Sequence, residues 1–409
     1  MPFESPAIAP PGPRQIGSDF GGLYAANALV AFIFAITGPV AIILAVASQG
    51  GLAESDVSSW LFGSFFLNSL ISLAFCWIYR QPLVFFWSIP GAVLIGPALG
   101  HLSFAEVIGA YHVTGLLMLL LGASGWVRRA MQAAVMPIVM GMVAGVFLRF
   151  GLDLVYALRD DLWIAAPMVV GFLAVSALPR LARLVPPLIV ALAVGAIAIA
   201  LLDRFQPGSG AIFSFAHPTL YAPVFSWRAM VELVFPLAIT VLAVQNGQGY
   251  AVLSAAGHKP PVNAVTIACG AGSMLSALVG AVSTCLTGPV NAIISISGER
   301  HRQYTAGLLV ALLALAFGAL APTFTHLMLA TPKAFIATLA GLAMLRVLQT
   351  AFVASFRTTH TFGALITFIV TVANVPIFNI GAPFWGLVIG FLCSKLLEPG
   401  DFAKAGNHA

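Results

Sequence analysis

Ser88-Ile89-Pro90-Gly91 and, far along the chain, Thr287-Gly288-Pro289 interrupt apolar stretches where an ordinary membrane helix would run on. In each, a hydroxyl residue stands just ahead of a proline. Serine and threonine are preferred helix N-caps, and proline suits the first turn because its missing N–H is one that the helix leaves unpaired anyway. Each break therefore reads as the point where extended backbone ends and a half-helix begins. The exposed N–H groups and the positive dipole end at such a start attract an anion. Discontinuous helices in corresponding positions of two repeats point to the midplane site of a secondary transporter. Either proline alone is compatible with a simple kink, since membrane helices tolerate proline where neighbours satisfy the freed carbonyl. The matched pair favours half-helices.

Outward from the breaks, the chain is 60% hydrophobic and only 8% charged, so apolar windows long enough to cross a bilayer follow one another from Leu23 to the C-terminal end. The expected fold class is an all-α polytopic membrane protein. Spans are expected at 22–47, 57–79, 82–99, 104–126, 130–157, 161–178, 184–203, 229–254, 262–281, 283–297, 303–329, 332–352, 360–378 and 382–397, fourteen in all. Residues 1–20 are rich in Pro and polar residues, without the apolar core and small-residue cleavage site of a removed leader.

The basic residues test this assignment, because cytoplasmic loops hold most of them. With the N-terminus inside, Arg14, Arg80, Arg128, Arg129, Arg180, Arg183, Lys259, Arg300, Arg302, Arg357, Lys395 and Lys404 fall inside. Arg159, Arg204, Arg228 and Lys333 fall outside, and Arg149 and Arg346 lie within spans. This bias places both termini in the cytoplasm. The net charge of +5 is dispersed in single residues and pairs, so it is a topological signal and not a nucleic-acid patch.

The polar stretch 204–228, with Pro207, Gly208, Gly210, Pro218 and Pro223, divides the spans seven and seven. The expected organisation is a cytoplasmic segment 1–20, a first repeat 21–203, a linker 204–228, a second repeat 229–397 and a cytoplasmic tail 398–409. An odd number of spans per repeat inverts the second half. Pro39 and Pro236 are 197 residues apart, Pro90 and Pro289 199, and Arg149 and Arg346 197. Val84-Phe85-Phe86-Trp87-Ser88 and Ala281-Val282-Ser283-Thr284-Cys285 read as short extended segments before the half-helices. Nonhelical backbone at membrane depth must have its peptide groups satisfied by protein, which two strands paired across a pseudo-twofold axis would do.

Residues of four kinds then converge on a candidate site. Thr37-Gly38-Pro39 makes the first span irregular in its middle, and Gln245-Asn246-Gly247 makes the eighth polar. Amides in a span either bond neighbouring helices or face a ligand, and an amide binds a carboxylate without repelling it. Trp87, beside the break, is either an aromatic wall or a core contact. Arg149 and Asp153, spaced i, i+4, suit an ion pair near the outer end of a span. Glu232, His112 and His326 are further titratable groups, none beside the breaks. Cys76, Cys269, Cys285 and Cys393 lie in apolar surroundings without CxxC spacing, which excludes a zinc site or disulfide framework. HExxH, GxSxG and catalytic carboxylate pairs are absent, so no enzyme and no cofactor is expected.

The runs Trp87-Ser88-Ile89-Pro90-Gly91-Ala92, Gln245-Asn246 with Gly249 and Ala251-Val252-Leu253, Gly257 with Lys259-Pro260-Pro261-Val262, and Cys285-Leu286-Thr287-Gly288 resemble the benzoate/proton symporter family. One departure is Gly247-Gln248-Gly249, where the family pattern carries Pro-Gly. The resemblance covers nearly the whole chain. It implies fourteen spans in a 7+7 inverted repeat, core and gate domains, and kinship of fold with uracil and xanthine permeases and sulfate/anion transporters. It further implies import of an aromatic carboxylate such as benzoate, coupled to a proton, across a bacterial inner membrane, and a homodimer by analogy. The residues expected at the substrate are Thr37, Trp87, Ser88, Pro90, Gly91, Gln245, Asn246, Cys285, Thr287 and Gly288. In nucleobase permeases a carboxylate stands where this chain has Gln245.

Overall fold

The computed structural model describes residues 4–178, 185–206, 213–296, 298–378 and 380–406. Arg180, Arg183, Pro207, Gly208 and Gly210 lie outside them, as do the ends of the N-terminal segment and of the C-terminal tail.

Among the described residues, seven helices are long and apolar enough to cross a bilayer: Gly22–Gln49, Glu54–Tyr79, Phe104–Ser124, Met136–Asp160, Trp227–Ala255, Arg300–Ala319 and Lys333–Phe356. Six shorter apolar helices accompany them: Ile89–Ala98, Leu162–Ser176, Pro187–Leu201, Val262–Ala277, Thr361–Ala373 and Ala382–Leu397. This is a polytopic membrane protein, almost wholly helical, as its composition requires.

The expected boundaries need some correction. The span expected over 303–329 is two helices, because Pro322 in the first turn of Ala321–Leu329 starts a new one. The span expected over 130–157 opens with the separate short helix Val127–Ala133 before Met136–Asp160. Thr37 breaks Gly22–Gln49 with a nonhelical backbone (φ −88°, ψ −90°) just before Gly38 and Pro39.

Both breaks at Ser88 and Thr287 start half-helices: Ile89–Ala98, here called α1, and Gly288–Ile294, here α2. A short strand precedes each, Phe85–Trp87 (β1) and Thr284–Leu286 (β2), the second falling later than the extended segment expected from Ala281. The strands pair antiparallel with Phe85 opposite Leu286, Phe86 opposite Cys285 and Trp87 opposite Thr284. Two flanking bonds, Ser88 N–H to Ser283 O at 2.9 Å and Thr287 N–H to Val84 O at 3.1 Å, extend the ladder at both ends.

A two-stranded ribbon this short is marginal alone, and its outer edges carry peptide groups that lipid cannot satisfy. Side chains of the surrounding helices meet them. Ser72 Oγ accepts from Phe85 N–H at 2.8 Å and donates to Phe85 O at 3.0 Å. Ser273 Oγ accepts from Thr284 N–H at 2.9 Å, and Asn246 Oδ1 from Leu286 N–H at 2.8 Å. Asn291, on α2, clamps Val84 with both ends of its amide, at 3.0 Å from the N–H and 3.2 Å from the carbonyl. Asn68 Oδ1 takes the Thr284 hydroxyl at 2.8 Å. The ribbon is thereby buried within an apolar core, with most of its edge N–H groups met by side chains of the surrounding helices.

The helices pack in two sets. Phe104–Ser124 and Val262–Ala277 lie so close that a Cβ on Gly270 would meet the Leu119 backbone nitrogen at 2.5 Å, the small-residue contact typical of membrane helices. In the other set Met136–Asp160 packs along Lys333–Phe356 and Thr361–Ala373. The sets meet where the second part of Gly22–Gln49 touches Lys333–Phe356 and where α1 touches Met136–Asp160.

Candidate functional site

The two half-helix starts end differently in detail. Ser88 is a true N-cap: its hydroxyl accepts from Gly91 N–H at 3.1 Å. Thr287 occupies the equivalent place but makes no such bond, and among the described residues the Val290 N–H that would donate to it has no acceptor. Pro90 and Pro289 each sit in the first turn.

A crevice of about 20 Å³ lies between these starts and the first long helix. Trp87 and Ile89 from one break, Thr287 and Pro289 from the other, and Phe34 and Pro39 from the first helix line it. That volume holds about one water and no benzene ring. The crevice is therefore too small for such a ring in this conformation.

Of the residues expected at the substrate, Trp87 and Thr287 meet in the crevice. Gly288 stands beside Thr287, and a Cβ there would run into the Gln248 side chain at 2.6 Å, so the helix start and Gln248 lie against each other. Gln245 is almost buried, and its amide has no hydrogen-bond partner among the described residues. Asn246 has a different place from the one expected: fully buried, it bonds Leu286 N–H and the Cys269 sulfur, so it supports the ribbon. Ser88 and Gly91 are bonded to each other. Cys285 is buried in the middle of the ladder opposite Phe86 and is not part of the crevice wall. Thr37 turns its hydroxyl back to the carbonyls of Ile33 and Phe34 at 2.9 and 3.1 Å, fixing the kink that presents Phe34 and Pro39.

Gln245 and Asn246 end a π-helical stretch, Thr240–Asn246. The extra residue per turn is a local distortion common at functional sites, and it lets one amide reach the ribbon while its neighbour stays unbonded. Phe34 was not singled out from the sequence as a wall residue, and Pro39 only as part of the irregular run Thr37-Gly38-Pro39. Pro39 carried a signal, its repeat-like spacing from Pro236; Phe34 carried none.

The Arg149–Asp153 ion pair expected from spacing does not form: neither side chain is in an ion pair or side-chain hydrogen bond among the described residues. Glu232 is buried and bonds His101 Nε2 at 2.9 Å, while His326 bonds Glu54 at 3.2 Å. His112 bonds the Ile108 carbonyl of its own helix. None of these groups lines the crevice.

Among known proteins, the chain is 28% identical over 375 residues to the inner membrane protein YdcO of Escherichia coli, covering 90% of this chain and 94% of that one. It is 26% identical over 376 residues to the benzoate membrane transport protein of Acinetobacter baylyi, covering 90% and 93%. In structure it is similar to the transmembrane domain of the cyanobacterial bicarbonate transporter BicA, with a TM-score of 0.64 at 16% identity over 94% of this chain and 99% of that one. The murine anion transporter Slc26a9 in its inward-facing state gives 0.63 at 13% identity over 96% and 73%. These structures share the fold. Residues 22–396 match the family model of the benzoate membrane transport protein, BenE, and the chain belongs to that family of membrane transporters.

Proposed function

We propose that the protein is a secondary transporter that imports benzoate or a related aromatic carboxylate with a proton across a bacterial inner membrane. The observation that carries this reading is the crevice in which Trp87 from one break meets Thr287 from the other. An indole face suits a benzene ring. The Thr287 hydroxyl, the uncapped N–H groups of α2 and the Gln245 amide offer donors to a carboxylate without a fixed cation. Ser88, Pro90, Gly91 and Gly288 shape the two starts, and Thr37 sets the third wall. The name of the Acinetobacter relative supports the same substrate.

In this reading the fourteen spans form a 7+7 inverted repeat, 21–203 and 229–397, joined by 204–228, with both termini cytoplasmic. The ribbon supports that symmetry. Its central pair, Phe86 and Cys285, is separated by the same 199 residues as Pro90 and Pro289, so one twofold maps both the prolines and the ladder. Ser72 and Ser273, which satisfy equivalent strand positions, nearly keep the offset. The set containing the ribbon is the core, and the set around Met136–Asp160 and Lys333–Phe356 is the gate, through which two copies would pair. Movement of one against the other opens the crevice to each side in turn.

Calorimetric titration of benzoate into the detergent-purified protein, with uracil and bicarbonate as comparison ligands, tests the assignment. Saturable binding of benzoate alone is expected. Binding of bicarbonate or uracil without benzoate would keep the fold and reject the substrate. Binding is the better first readout than uptake, because neutral benzoic acid crosses bilayers unaided.

A further inference from the structure

A second cavity, of about 260 Å³, opens between the core and the gate. Its walls are Gln49 of the first helix, Val93 and Pro97 of α1, Arg149 and Asp153 of Met136–Asp160, and Asn374 beyond Thr361–Ala373. It shares no wall residue with the crevice. Unlike the crevice, it is roomy enough for a small carboxylic acid of a single ring, near the lower end of ligand-pocket volumes.

Arg149 sits near the middle of its helix, roughly 20 Å from the Met136 end at 1.5 Å per residue. A cation at that depth is costly and faces a water-filled or ligand-filled space rather than lipid. It has no anionic partner bonded to it among the described residues. Asp153, one turn on, shares the cavity and feels the Arg149 charge without a bonded ion pair, and a guanidinium fork matches a carboxylate with two parallel bonds.

The cavity and the crevice are also joined by one stripe. Ile89 lines the crevice, and Val93 and Pro97 line the cavity. Spaced four apart, they share one face of α1 and span about 12 Å. An apolar ring could slide along this face while its charged end exchanges partners.

We infer that this cavity is an anteroom site for carboxylates: Arg149 captures the anion between core and gate, before the substrate passes along Ile89, Val93 and Pro97 to the crevice. Asp153 opposes the capture and sets the net charge of the room. The choice of benzoate as ligand rests on the function proposed above; the anion-attracting role of Arg149 does not.

The test uses the full chain in proteoliposomes, with Leu152→Cys as a reporter on the cavity wall and Cys393→Ser to remove the one native thiol that is not fully buried. Modification rates are measured with an anionic and a cationic methanethiosulfonate of similar size. Arg149→Gln is expected to lower the anionic-to-cationic rate ratio about tenfold, the low end of electrostatic focusing in a cleft. Asp153→Asn is expected to raise it. Benzoate should slow modification when Arg149 is present and fail to do so in Arg149→Gln, and the protection should survive Thr287→Val. A ratio indifferent to Arg149→Gln would show that the guanidinium does not face the cavity and would overturn the inference. So would benzoate protection that persists in Arg149→Gln but vanishes in Thr287→Val. The ratio needs no benzoate binding at Trp87 and Thr287, so loss of the crevice reading leaves that arm intact.

Discussion

Ser88 and Thr287 stand at equivalent places, each closing a strand and opening a half-helix, yet they leave their helices in different states. At the first break the hydroxyl is turned inward on Gly91 N–H. At the second, the hydroxyl makes no cap bond, Thr287 lines the crevice, and the Val290 N–H behind it has no acceptor among the described residues. If the two halves are repeats, as proposed, a repeated fold need not carry a repeated site. One start is satisfied by its own side chain; in the function proposed above, the other keeps its donors for a ligand. The larger aromatic wall, Trp87, comes from the satisfied side. Each half therefore contributes something different to one place.

The contrast can be broken most forcefully at the ribbon beneath both starts. Asn246→Leu would leave Leu286 N–H buried without a partner, at a cost of about 1–3 kcal/mol. The expected result is a clear drop in the thermal midpoint in detergent, with benzoate affinity falling only as far as the fold loosens. If affinity vanished while the midpoint stayed put, Asn246 would belong to the ligand and not to the ribbon. Ser88→Ala removes a cap bond worth about 1 kcal/mol, so a smaller fall in midpoint is expected. An unchanged midpoint would mean that the first start is as open as the second.

The smallest effect lies away from the breaks, at Glu398. Burial raises its carboxyl, but the N–H groups of Gly363 and Phe362 and the Ser394 hydroxyl outweigh that and hold it below the usual range. Its contacts, at 3.0, 2.8 and 2.8 Å, tie the end of Ala382–Leu397 to the start of Thr361–Ala373. A depressed folded-state value means that the stabilisation is present above the unfolded carboxyl range, near 4.3, and is lost as pH falls through the folded value. Glu398→Gln should lower stability by a few tenths of a kcal/mol to about 1 at pH 7. Thermal midpoints of the two proteins should draw together at about pH 3, below that range. A gap that stayed constant with pH would assign the effect to packing.

Much of this was legible in the sequence because it is local. Hydroxyl, proline and glycine at Ser88–Gly91 and Thr287–Pro289 mark helix starts by rules that act within one turn, and both starts occur there. The strands were legible for the same reason, since apolar residues before a cap with no helix to belong to must be extended. What was not legible depends on distant pairs. Asn68 reaches Thr284 across 216 residues and Asn291 reaches Val84 across 207, and nothing in either neighbourhood announces the partner. Asn246 and Gln245 are adjacent in a π-helical stretch, and the sequence does not announce that one amide props the ribbon while the other is left unbonded. Arg149 and Asp153 illustrate the opposite error: i, i+4 spacing permits an ion pair, but the two side chains line a shared cavity without a bonded contact, though their charges still interact.

The most direct test of the central claim is a pair of calorimetric benzoate titrations, on Thr287→Val and on Ser88→Ala, against the unaltered protein. The account predicts that Thr287→Val weakens binding by roughly tenfold to a hundredfold, the worth of a hydrogen bond to a charged group, while Ser88→Ala changes the affinity by no more than about the factor of five equivalent to the 1 kcal/mol its cap bond is worth. Equal losses at both positions, or a larger loss at Ser88, would contradict it: the two starts would then be one symmetric site.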